Sequence, residues 1–411
     1  MNVRRTAAAL AAVAMIGTAA PAVAADSSPS PSPSTALPSG LYGSTDPKYD
    51  GVWRQSLALL AQDTVGVRPA AAAVGWLTGQ QCANGAFAAF RADPGRACDA
   101  KVMVDTNSTA AAVQALAALG GHDAATDKAV TWLKSVQNKD GGWGYTPGGP
   151  SDANSTSVVV GALAATGRKP AAVLKDGKSP YDALLKLALP CEGEGAGAFA
   201  YQPDKKGRLT ANADATAAGV VAALGQGLAA KGAGASGGAP HCTDSGEATP
   251  ARAAANGAAH LAGAVAKNGY LTSVLPGSTD QPDYGNTADA VVALAAQGGA
   301  GQAAKPLRWL ERHAAAWAQQ SGPAAYAQLV FAAHATGTDP RDFGGTDLVA
   351  KLNATGPAPQ SATGAETDDK RADSAKDDSS GFGVWWIVGV FLVAGIGIGF
   401  LLSGRKNGRQ P

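Results

Sequence analysis

The chain has 411 residues, a formal net charge of +1 and only 6% aromatic residues, whereas alanine and glycine are abundant. Because the net charge is close to zero, nothing favours nucleic acid or an acidic surface as a partner, and no nucleic-acid partner is predicted. Small residues let helices pack closely, so the composition favours a helical array over a sheet.

The first 24 residues have the three parts of a secretory signal. Arg4 and Arg5 give a positive start, residues 6–18 form a short apolar stretch, and Ala22-Val23-Ala24 offers small residues for cleavage. The apolar stretch is too short to span a bilayer. We therefore predict an exported chain in which residues 25–45 form a Pro/Ser-rich tether.

Residues 46–354 contain a repeated segment, in which a helix with one polar side ends near a glutamine and a Gly-rich turn carries an aromatic residue back onto it. Two copies share the same spacing: Trp76, Gln81, Gly85 and Phe87 in the first, and Trp132, Gln137, Gly141 and Trp143 in the second. A weaker copy surrounds Leu261, and fragments occur at Phe199 and Trp309. We interpret these residues as structural braces.

Each copy is followed by a segment with a polar start, a nearly all-apolar helix and a closing glycine. These segments are 107–120, 154–167, 214–227, 286–298 and 324–337, and in the first four a threonine lies eleven residues before the glycine. A helix that is apolar all round is buried on most sides, so these are predicted inner helices that alternate with outer ones. Counting both types predicts about twelve helices.

The four cysteines, Cys82, Cys98, Cys191 and Cys242, indicate disulfides in an exported protein. Pairing Cys82 with Cys98 and Cys191 with Cys242 has the lowest loop cost. A metal site is the alternative, but no cysteine pair has C-x-x-C spacing. We predict no metal and no cofactor.

The C-terminal part predicts a single-pass membrane anchor. Residues 355–381 form a polar linker, and residues 382–402 are apolar or glycine, which makes roughly 31 Å of helix, one hydrocarbon core. Arg405, Lys406 and Arg409 then place the tail, 403–411, in the cytoplasm. The predicted location is the cell membrane, with the bulk of the chain extracellular.

Two further features concern this anchor. Leu352-Asn353-Ala354-Thr355-Gly356 is similar to a wall-sorting pentapeptide, which would replace the helix by covalent attachment, although its second residue departs from the pattern. Gly395 and Gly399 form a small-residue face that could pack against a transmembrane partner.

The second repeat copy, with Lys128 and Ala129 upstream, resembles the repeat of the prenyltransferase and squalene-cyclase superfamily, and the resemblance covers roughly residues 46–354. It implies an all-α (α/α)6 toroid, in which six parallel inner helices surround a cavity and six outer helices wrap them. In that family the Gln–Trp turn is a structural brace.

The catalytic signatures that the resemblance implies are missing from the repeat domain. The only adjacent aspartate pairs, Asp368-Asp369 and Asp377-Asp378, lie in the linker, so a protonating Asp-x-Asp-Asp is absent. No zinc-ligand set is present, and the sequence from Cys191 to Glu194 lacks the glutamine of a thioester motif. No catalytic residue is predicted.

Polar residues at the starts of the inner helices form a predicted rim. These candidates are Asp105, Asn107, Asp152, Asn154, Asn212, Asp214, Asp283, Tyr284 and Asn286. Parallel helices would bring them to one mouth together with the positive helix ends. The alternative is that each Asn or Asp is an ordinary N-cap.

Our main functional hypothesis is a surface-anchored, non-catalytic module that binds a small molecule or a partner. Cobalamin carriers share the toroid, are secreted and carry disulfides, so a cobalamin-type ligand is one possibility. The alternatives are a diverged terpenoid cyclase- or prenyltransferase-like enzyme and an interaction scaffold without a cavity.

Overall fold

The computed structural model describes residues 37–361 except 100, 235–239 and 275–277. The predicted signal 1–24, most of the tether, most of the linker, the apolar segment 382–402 and the tail 403–411 lie outside the described residues. Within the described part, no helix is both long and apolar enough to cross a bilayer.

Twelve α-helices occur in the described part of the chain. The odd-numbered ones are α1 (Gly51–Thr64), α3 (Thr106–Leu119), α5 (Ala153–Ala165), α7 (Ala213–Ala223), α9 (Tyr284–Ala296) and α11 (Pro323–Thr336). The even-numbered ones are α2 (Ala71–Gly79), α4 (Asp123–Ser135), α6 (Pro180–Leu187), α8 (Pro250–Ala266), α10 (Ala300–Ser321) and α12 (Leu348–Asn353). A 3-10 turn spans Pro170–Ala172, and β1 (Leu271–Thr272) pairs antiparallel with β2 (Pro282–Asp283).

The odd-numbered helices form a closed inner ring. Each contacts the odd-numbered helices before and after it, and α11 returns to α1. The even-numbered helices pack outside, for example α4 on α3, α8 on α7, and α10 on both α9 and α11. The predicted all-α toroid of alternating inner and outer helices is therefore confirmed.

Burial follows the polarity of the two helix types. Helix α3, rich in Ala, Val and Leu, is buried along most of its length, whereas α4 buries only one side. Ala129 and Leu133 of α4 face the core while Lys128 and Lys134 are exposed. A polar stripe can stay in water only on the outer ring, so the patterns assign each helix to its layer.

The glutamine of each turn joins one outer helix to the next repeat. Gln81 Nε2 donates to the carbonyls of Gly85 (3.0 Å) and of Ala125 in the first turn of α4 (2.8 Å). Gln137 Nε2 donates likewise to Gly141 (2.8 Å) and to Val173 (3.2 Å). These bonds fix the spacing between successive repeats.

The aromatic residue of the turn is buried between the layers. Trp143 has no exposed surface, and its Nε1 donates to the Leu133 carbonyl at the end of α4 (2.7 Å). Phe87 is equally buried at the matching position. The indole thus fills the space between the two helix layers. It also donates a hydrogen bond to a carbonyl in the last turn of α4, where carbonyls lack a partner within the helix.

The recurring threonine ties each turn to the following inner helix. Its Oγ1 accepts the backbone N–H of the turn residue in four repeats, at 2.9–3.1 Å. The pairs are Phe87 with Thr109, Trp143 with Thr156, Phe199 with Thr216, and Leu271 with Thr287. In the sequence this threonine was recognisable only by its constant spacing from the closing glycine. The structure shows that it accepts a hydrogen bond from the preceding turn.

Two disulfides are present. Cys82–Cys98 closes the loop after α2, and Cys191–Cys242 joins the loop after α6 to the loop before α8. They are the two pairs of lowest loop cost, and the prediction of disulfides is confirmed.

The packed domain is wider than the predicted boundaries of 46 and 354. Tyr42 has no exposed surface, and its hydroxyl donates to the Pro357 carbonyl (3.1 Å). Gly43 N donates to the Thr355 carbonyl (2.8 Å). The two chain segments that flank the repeats therefore pack together where α11 meets α1, and neither is an extended tether at these positions.

The segment 225–234, which we call the strap, crosses the ring at the C-terminal ends of the inner helices. Leu228 N donates to Gln114 Oε1 (2.8 Å), and Gln114 Nε2 donates to the Val158 carbonyl on α5 (3.0 Å). Ala233 N then bonds the Ala295 carbonyl on α9 (3.1 Å). The strap thereby links α3 and α5 to the opposite side of the ring.

Candidate functional site

The predicted rim separates into caps and residues of the first helical turn. Asp105, Asp152, Asn212 and Asp283 are the N-caps, and each side chain accepts a backbone N–H three residues on, at 2.6–3.0 Å. Asn107, Asn154 and Asp214 are instead the second residues of α3, α5 and α7. The predicted helix starts at Asn107, Asn154 and Asp214 were therefore too late by one or two residues.

Asn154 and Asp214 join the starts of two adjacent inner helices. The side-chain amide of Asn154 donates to Asp214 Oδ2, which joins α5 to α7. Asn154 is thus not a cap, since Asp152 already caps that helix. Asn286 donates its side-chain amide to the Asp283 carboxylate (2.8 Å) and is held by its own helix start.

A second acidic group, which the rim prediction missed, lies one turn deeper. Gln328 Nε2 on α11 donates to Asp289 Oδ2 on α9 (3.1 Å). Both are the sixth residues of their helices, so they face each other at one level. The signal in the sequence was a single carboxyl in an apolar helix, Ala288-Asp289-Ala290, which no capping role explains.

Burial raises the pKa of Asp289 to about 8, and the carboxyls of Asp214 and Asp283 add to this, while the Gln328 bond opposes it. Burial likewise raises the pKa of Asp214 to about 7, opposed by the Asn154 bond and assisted by Asp283 and Asp152. Buried carboxyls without a positive partner favour the protonated form. Asp289 is therefore mostly protonated at neutral pH.

The capping carboxyls and two phenols belong to the same end of the ring. Burial raises the pKa of Asp105 and of Asp152 to about 6, although bonds from the helix backbone oppose it. The pKa of Tyr145 is raised to about 12 by burial and by Asp105. Burial, then Asp152 and Asp214, raises the pKa of Tyr201.

The exposure of these groups differs around the ring. Asp214, Asp289 and Gln328 are half-buried, so water reaches them. Asn107 and Asn154 are almost fully buried, and the Oδ1 atom of each has no hydrogen-bond partner within the described part of the chain. The accessible part of the mouth therefore lies along α7, α9 and α11.

An aromatic cluster adjoins this accessible side. Tyr284, the first residue of α9, has its ring centroid 4.9 Å from Trp309 and 5.6 Å from Trp317, both on α10. Tyr270 packs on Trp309 at 4.7 Å. Tyr284 was a rim candidate, and the structure places it in this stack rather than alone at the rim.

Within the described residues, no ion pair joins a basic side chain to Asp105, Asp152, Asp214, Asp283 or Asp289. The ion pairs in this part of the chain are Arg54–Asp50, Arg168–Asp127, Lys178–Asp182 and Arg208–Asp204. In the same described residues, no three His, Cys, Asp or Glu side chains gather in a way that could hold a metal ion.

A closed double ring of helices, braced by Gln–aromatic turns and carrying buried carboxyls at one mouth, defines an α/α-toroid protein. Residues 53–197 match the family model of the prenyltransferase alpha-alpha toroid domain. The resemblance drawn from the repeat turns is therefore confirmed for this stretch, which is similar to the toroid domain of the prenyltransferase and terpenoid cyclase-like proteins.

One curated relative is drimenyl diphosphate synthase of Streptantibioticus cattleyicolor, 38% identical over 80 residues, which are 20% of this chain and 13% of that protein. Among solved structures, ent-copalyl diphosphate synthase from Streptomyces platensis is 18% identical, with a TM-score of 0.45 over 70% of this chain and 50% of the other. A protein from Actinoplanes is also 18% identical, with a TM-score of 0.42 over 66% and 74%.

Proposed function

We propose that the toroid is a diverged terpenoid cyclase- or prenyltransferase-like enzyme that uses a protonated carboxyl at its mouth. The observation that carries the proposal is Asp289, whose pKa of about 8 leaves it protonated at neutral pH while it stays half-buried and accessible. A carboxyl whose pKa lies near the working pH is an effective general acid. The local identity with drimenyl diphosphate synthase supports the same class of chemistry.

In this proposal Asp289 gives its proton to a carbon–carbon double bond of an isoprenoid substrate. The positive charge that forms on carbon is stabilised by the faces of Tyr284 and Trp317. Gln328 donates a hydrogen bond to the carboxylate that remains. The cation then loses a proton to water, or captures water and releases a proton to solvent, and solvent reprotonates the half-buried carboxylate.

The site departs from the family's acid motif, because Asp289 lies between Ala288 and Ala290 rather than in Asp-x-Asp-Asp. Asp214 stands in for the second carboxyl from a neighbouring helix, since it raises the pKa of Asp289. In this proposal the two carboxyls of the acid site come from two different helices, and not from one Asp-x-Asp-Asp segment.

The test is turnover of isoprenoid diphosphates by the purified chain. Farnesyl and geranylgeranyl diphosphate are incubated with it, and products are identified by gas chromatography and mass spectrometry after dephosphorylation. Asp289→Asn should lower turnover about 100-fold or more, the usual contribution of a general acid. Asp127→Asn, at an exposed ion pair on α4, is the matched control. Absence of any product with the unaltered chain overturns the proposal.

A second candidate is non-catalytic capture of a small molecule or partner, as the sequence suggested. It is favoured by the packing of the ring: α3 and α5 are buried along most of their lengths, and the strap crosses the opposite end. In this candidate the ligand binds at the mouth. Native mass spectrometry of the chain from its own host, with a co-purified compound and no turnover, would support this candidate instead.

We also propose that the domain is displayed outside the cell and anchored by residues 382–402, with Gly395 and Gly399 available to a membrane partner. The two disulfides indicate an oxidising compartment. Surface biotinylation of intact cells should label the chain, and carbonate washing should leave it in the membrane fraction. Release by carbonate would contradict the anchor.

A further inference from the structure

The residue before the turn glycine is Asn or Asp in three of the repeats. The three pairs are Asn84–Gly85, Asp140–Gly141 and Asn268–Gly269. These glycines have φ of +95°, +92° and +79°, respectively, a left-handed conformation that favours glycine over other residues. The turn chemistry of the repeat therefore places an Asn–Gly pair in two of its turns.

An Asn–Gly pair can modify itself without an enzyme. The backbone nitrogen of the glycine attacks the side-chain carbonyl carbon of the asparagine, and a succinimide ring forms. The side-chain amide leaves as ammonia, which carries away the proton of the attacking nitrogen. Water then opens the ring at either carbonyl and gives aspartate or isoaspartate. Glycine permits the attack because it has no Cβ to hinder the approach.

Exposure and hydrogen bonding separate the Asn–Gly pairs, of which the described residues contain a third at Asn256. Asn256 is 7% exposed within α8, and its side chain bonds both the N–H and the carbonyl of Thr243. Asn84 is exposed, but its Oδ1 accepts the Ala86 N–H (3.1 Å). Asn268 is exposed, and its side chain has no hydrogen-bond partner within the described part of the chain. Of the three, Asn268 is the one that combines exposure with an unheld side-chain amide.

We propose that Asn268 is a site of spontaneous deamidation and that its isoaspartyl product loosens the turn after α8. An ordinary aspartate is compatible with such a turn, because Asp140 occupies the matching position and its Oδ1 accepts the Gly142 N–H (3.1 Å). An isoaspartate instead adds a methylene to the backbone just before Gly269. Because the Gly269 N–H is bonded to the Val265 carbonyl at the end of α8 (2.8 Å), the longer backbone must strain or break this bond.

The turn leads directly into residues beside the mouth. Tyr270 follows it and packs on Trp309 of α10, with 4.7 Å between ring centroids. Leu271 N then donates to Thr287 Oγ1 in the first turn of α9 (3.0 Å). A longer backbone at residue 268 displaces both contacts, so the modification reaches the aromatic cluster. The inference goes beyond the proposed enzyme, since deamidation requires neither substrate nor turnover.

The test is peptide mapping by mass spectrometry of the purified, folded chain after incubation in oxygen-18 water at pH 8.5. The isotope marks deamidation that occurs during the incubation. Asn268 should deamidate severalfold faster than Asn84, and Asn256 should be the slowest. The rate at Asn268 should rise with pH, because the glycine nitrogen must lose its proton to attack. Equal rates at the three sites, or an unmodified Asn268, overturns the proposal.

Two variants separate the isoaspartyl product from the added charge. Asn268→Gln keeps an amide but is one methylene longer, which slows ring closure, and Asn268→Asp supplies the charge on an unaltered backbone. After the same incubation, the parent should melt at a lower temperature than Asn268→Gln, whereas fresh Asn268→Asp should melt like the fresh parent. An aged parent that melts like aged Asn268→Gln contradicts the effect on the turn. A fresh Asn268→Asp protein that melts as low as the aged parent contradicts the isoaspartyl cause.

Discussion

Trp143 is the residue on which a repeat depends most. Its indole is fully buried and donates to the Leu133 carbonyl, so Trp143→Ala removes both a large apolar contact and a buried hydrogen bond. The loss in unfolding free energy should be about 3–5 kcal/mol, measured by urea denaturation. Tyr49→Ala, at a side chain that is 78% exposed, should change it by less than about 0.5 kcal/mol. A Trp143→Ala protein of normal stability that has lost ligand binding would instead place this residue in the mouth.

The buried carboxyls should make stability depend on pH. The pKa of Asp289 is raised to about 8 in the folded chain, whereas an unfolded aspartate titrates near 4, so the folded state holds the proton more tightly. This group's contribution is therefore complete below about pH 4 and is lost as the pH rises toward 8. Asp214, Asp105 and Asp152 act in the same direction.

The measurement is the melting temperature between pH 5 and pH 9, compared with Asp289→Asn, which cannot ionise. The difference in melting temperature, wild type minus variant, should fall as the pH rises through this range. A difference that stays constant would show that the Asp289 pKa is not raised by folding.

The sequence located the polar rim but could not assign its residues. Asp105 and Asn107, or Asp152 and Asn154, are all good capping types, and helix starts are uncertain by one or two residues without coordinates. Only the structure shows that the first of each pair caps its helix while Asn154 reaches Asp214. Asp289 was missed because its hydrogen-bond partner, Gln328, lies on α11, 39 residues later in the sequence.

At the scale of elements, periodicity predicted the number of helices but marked some of them only by fragments of the repeat. Helix α6 has only eight residues and lacks the Trp–Leu pair that α2 and α4 contain, although Ser179 and Asp182 form a capping box that marks its start. The strap has no repeat partner at all, since it occurs once and is fixed by Gln114 on a helix about 110 residues earlier. Such long-range contacts leave no local pattern.

The close approach of a turn to the next outer helix can be tested at two glycines. Gly141 has φ of +92°, and a Cβ there would lie 2.1 Å from the Ser179 carbonyl oxygen at the start of α6. Gly148 has φ of +77° with open space around it. Both alanine variants should lose about 1–2 kcal/mol from the left-handed backbone, and Gly141→Ala should lose about 1–3 kcal/mol more from the clash. Equal losses in urea denaturation would mean that the turn moves away from α6 freely.

For the whole molecule, the repeat predicted a ring, but the contacts that close it lie partly outside the repeats. Arg54, almost fully buried in α1, bonds the Tyr42 carbonyl (2.9 Å) and Asp50 (2.8 Å), and Tyr42 in turn contacts the segment after α12. These residues occur once each and have no periodic signal. A sequence can therefore specify how many helix pairs a toroid has without showing how its ends are joined.

The disulfides stabilise this ring by restricting the conformations of the unfolded chain. Because the effect grows with the length of the closed loop, the two should contribute differently. Cys82–Cys98 spans 16 residues and Cys191–Cys242 spans 51, so chain entropy gives about 3 and about 4 kcal/mol, respectively. The shorter loop is also held by Arg91, whose guanidinium bonds the carbonyls of Gly79 and Gln81 at 3.0 Å, so it keeps part of its structure when reduced.

Near the second disulfide, the Cys191 N–H donates to Asp244 Oδ2 (2.8 Å), and Asn256 bonds both the N–H and the carbonyl of Thr243 (3.0 and 3.1 Å). Both disulfides are therefore flanked by hydrogen bonds, and the length of the closed loop is their main difference. Replacing Cys191 and Cys242 together by serine should therefore lower the unfolding free energy by about 1 kcal/mol more than replacing Cys82 and Cys98. The measurement is urea denaturation of both double variants beside the oxidised parent, with thiol labelling under denaturing conditions to confirm that the parent has no free cysteine. A larger loss for Cys82 and Cys98 would mean that native-state packing, rather than loop length, decides what each disulfide contributes.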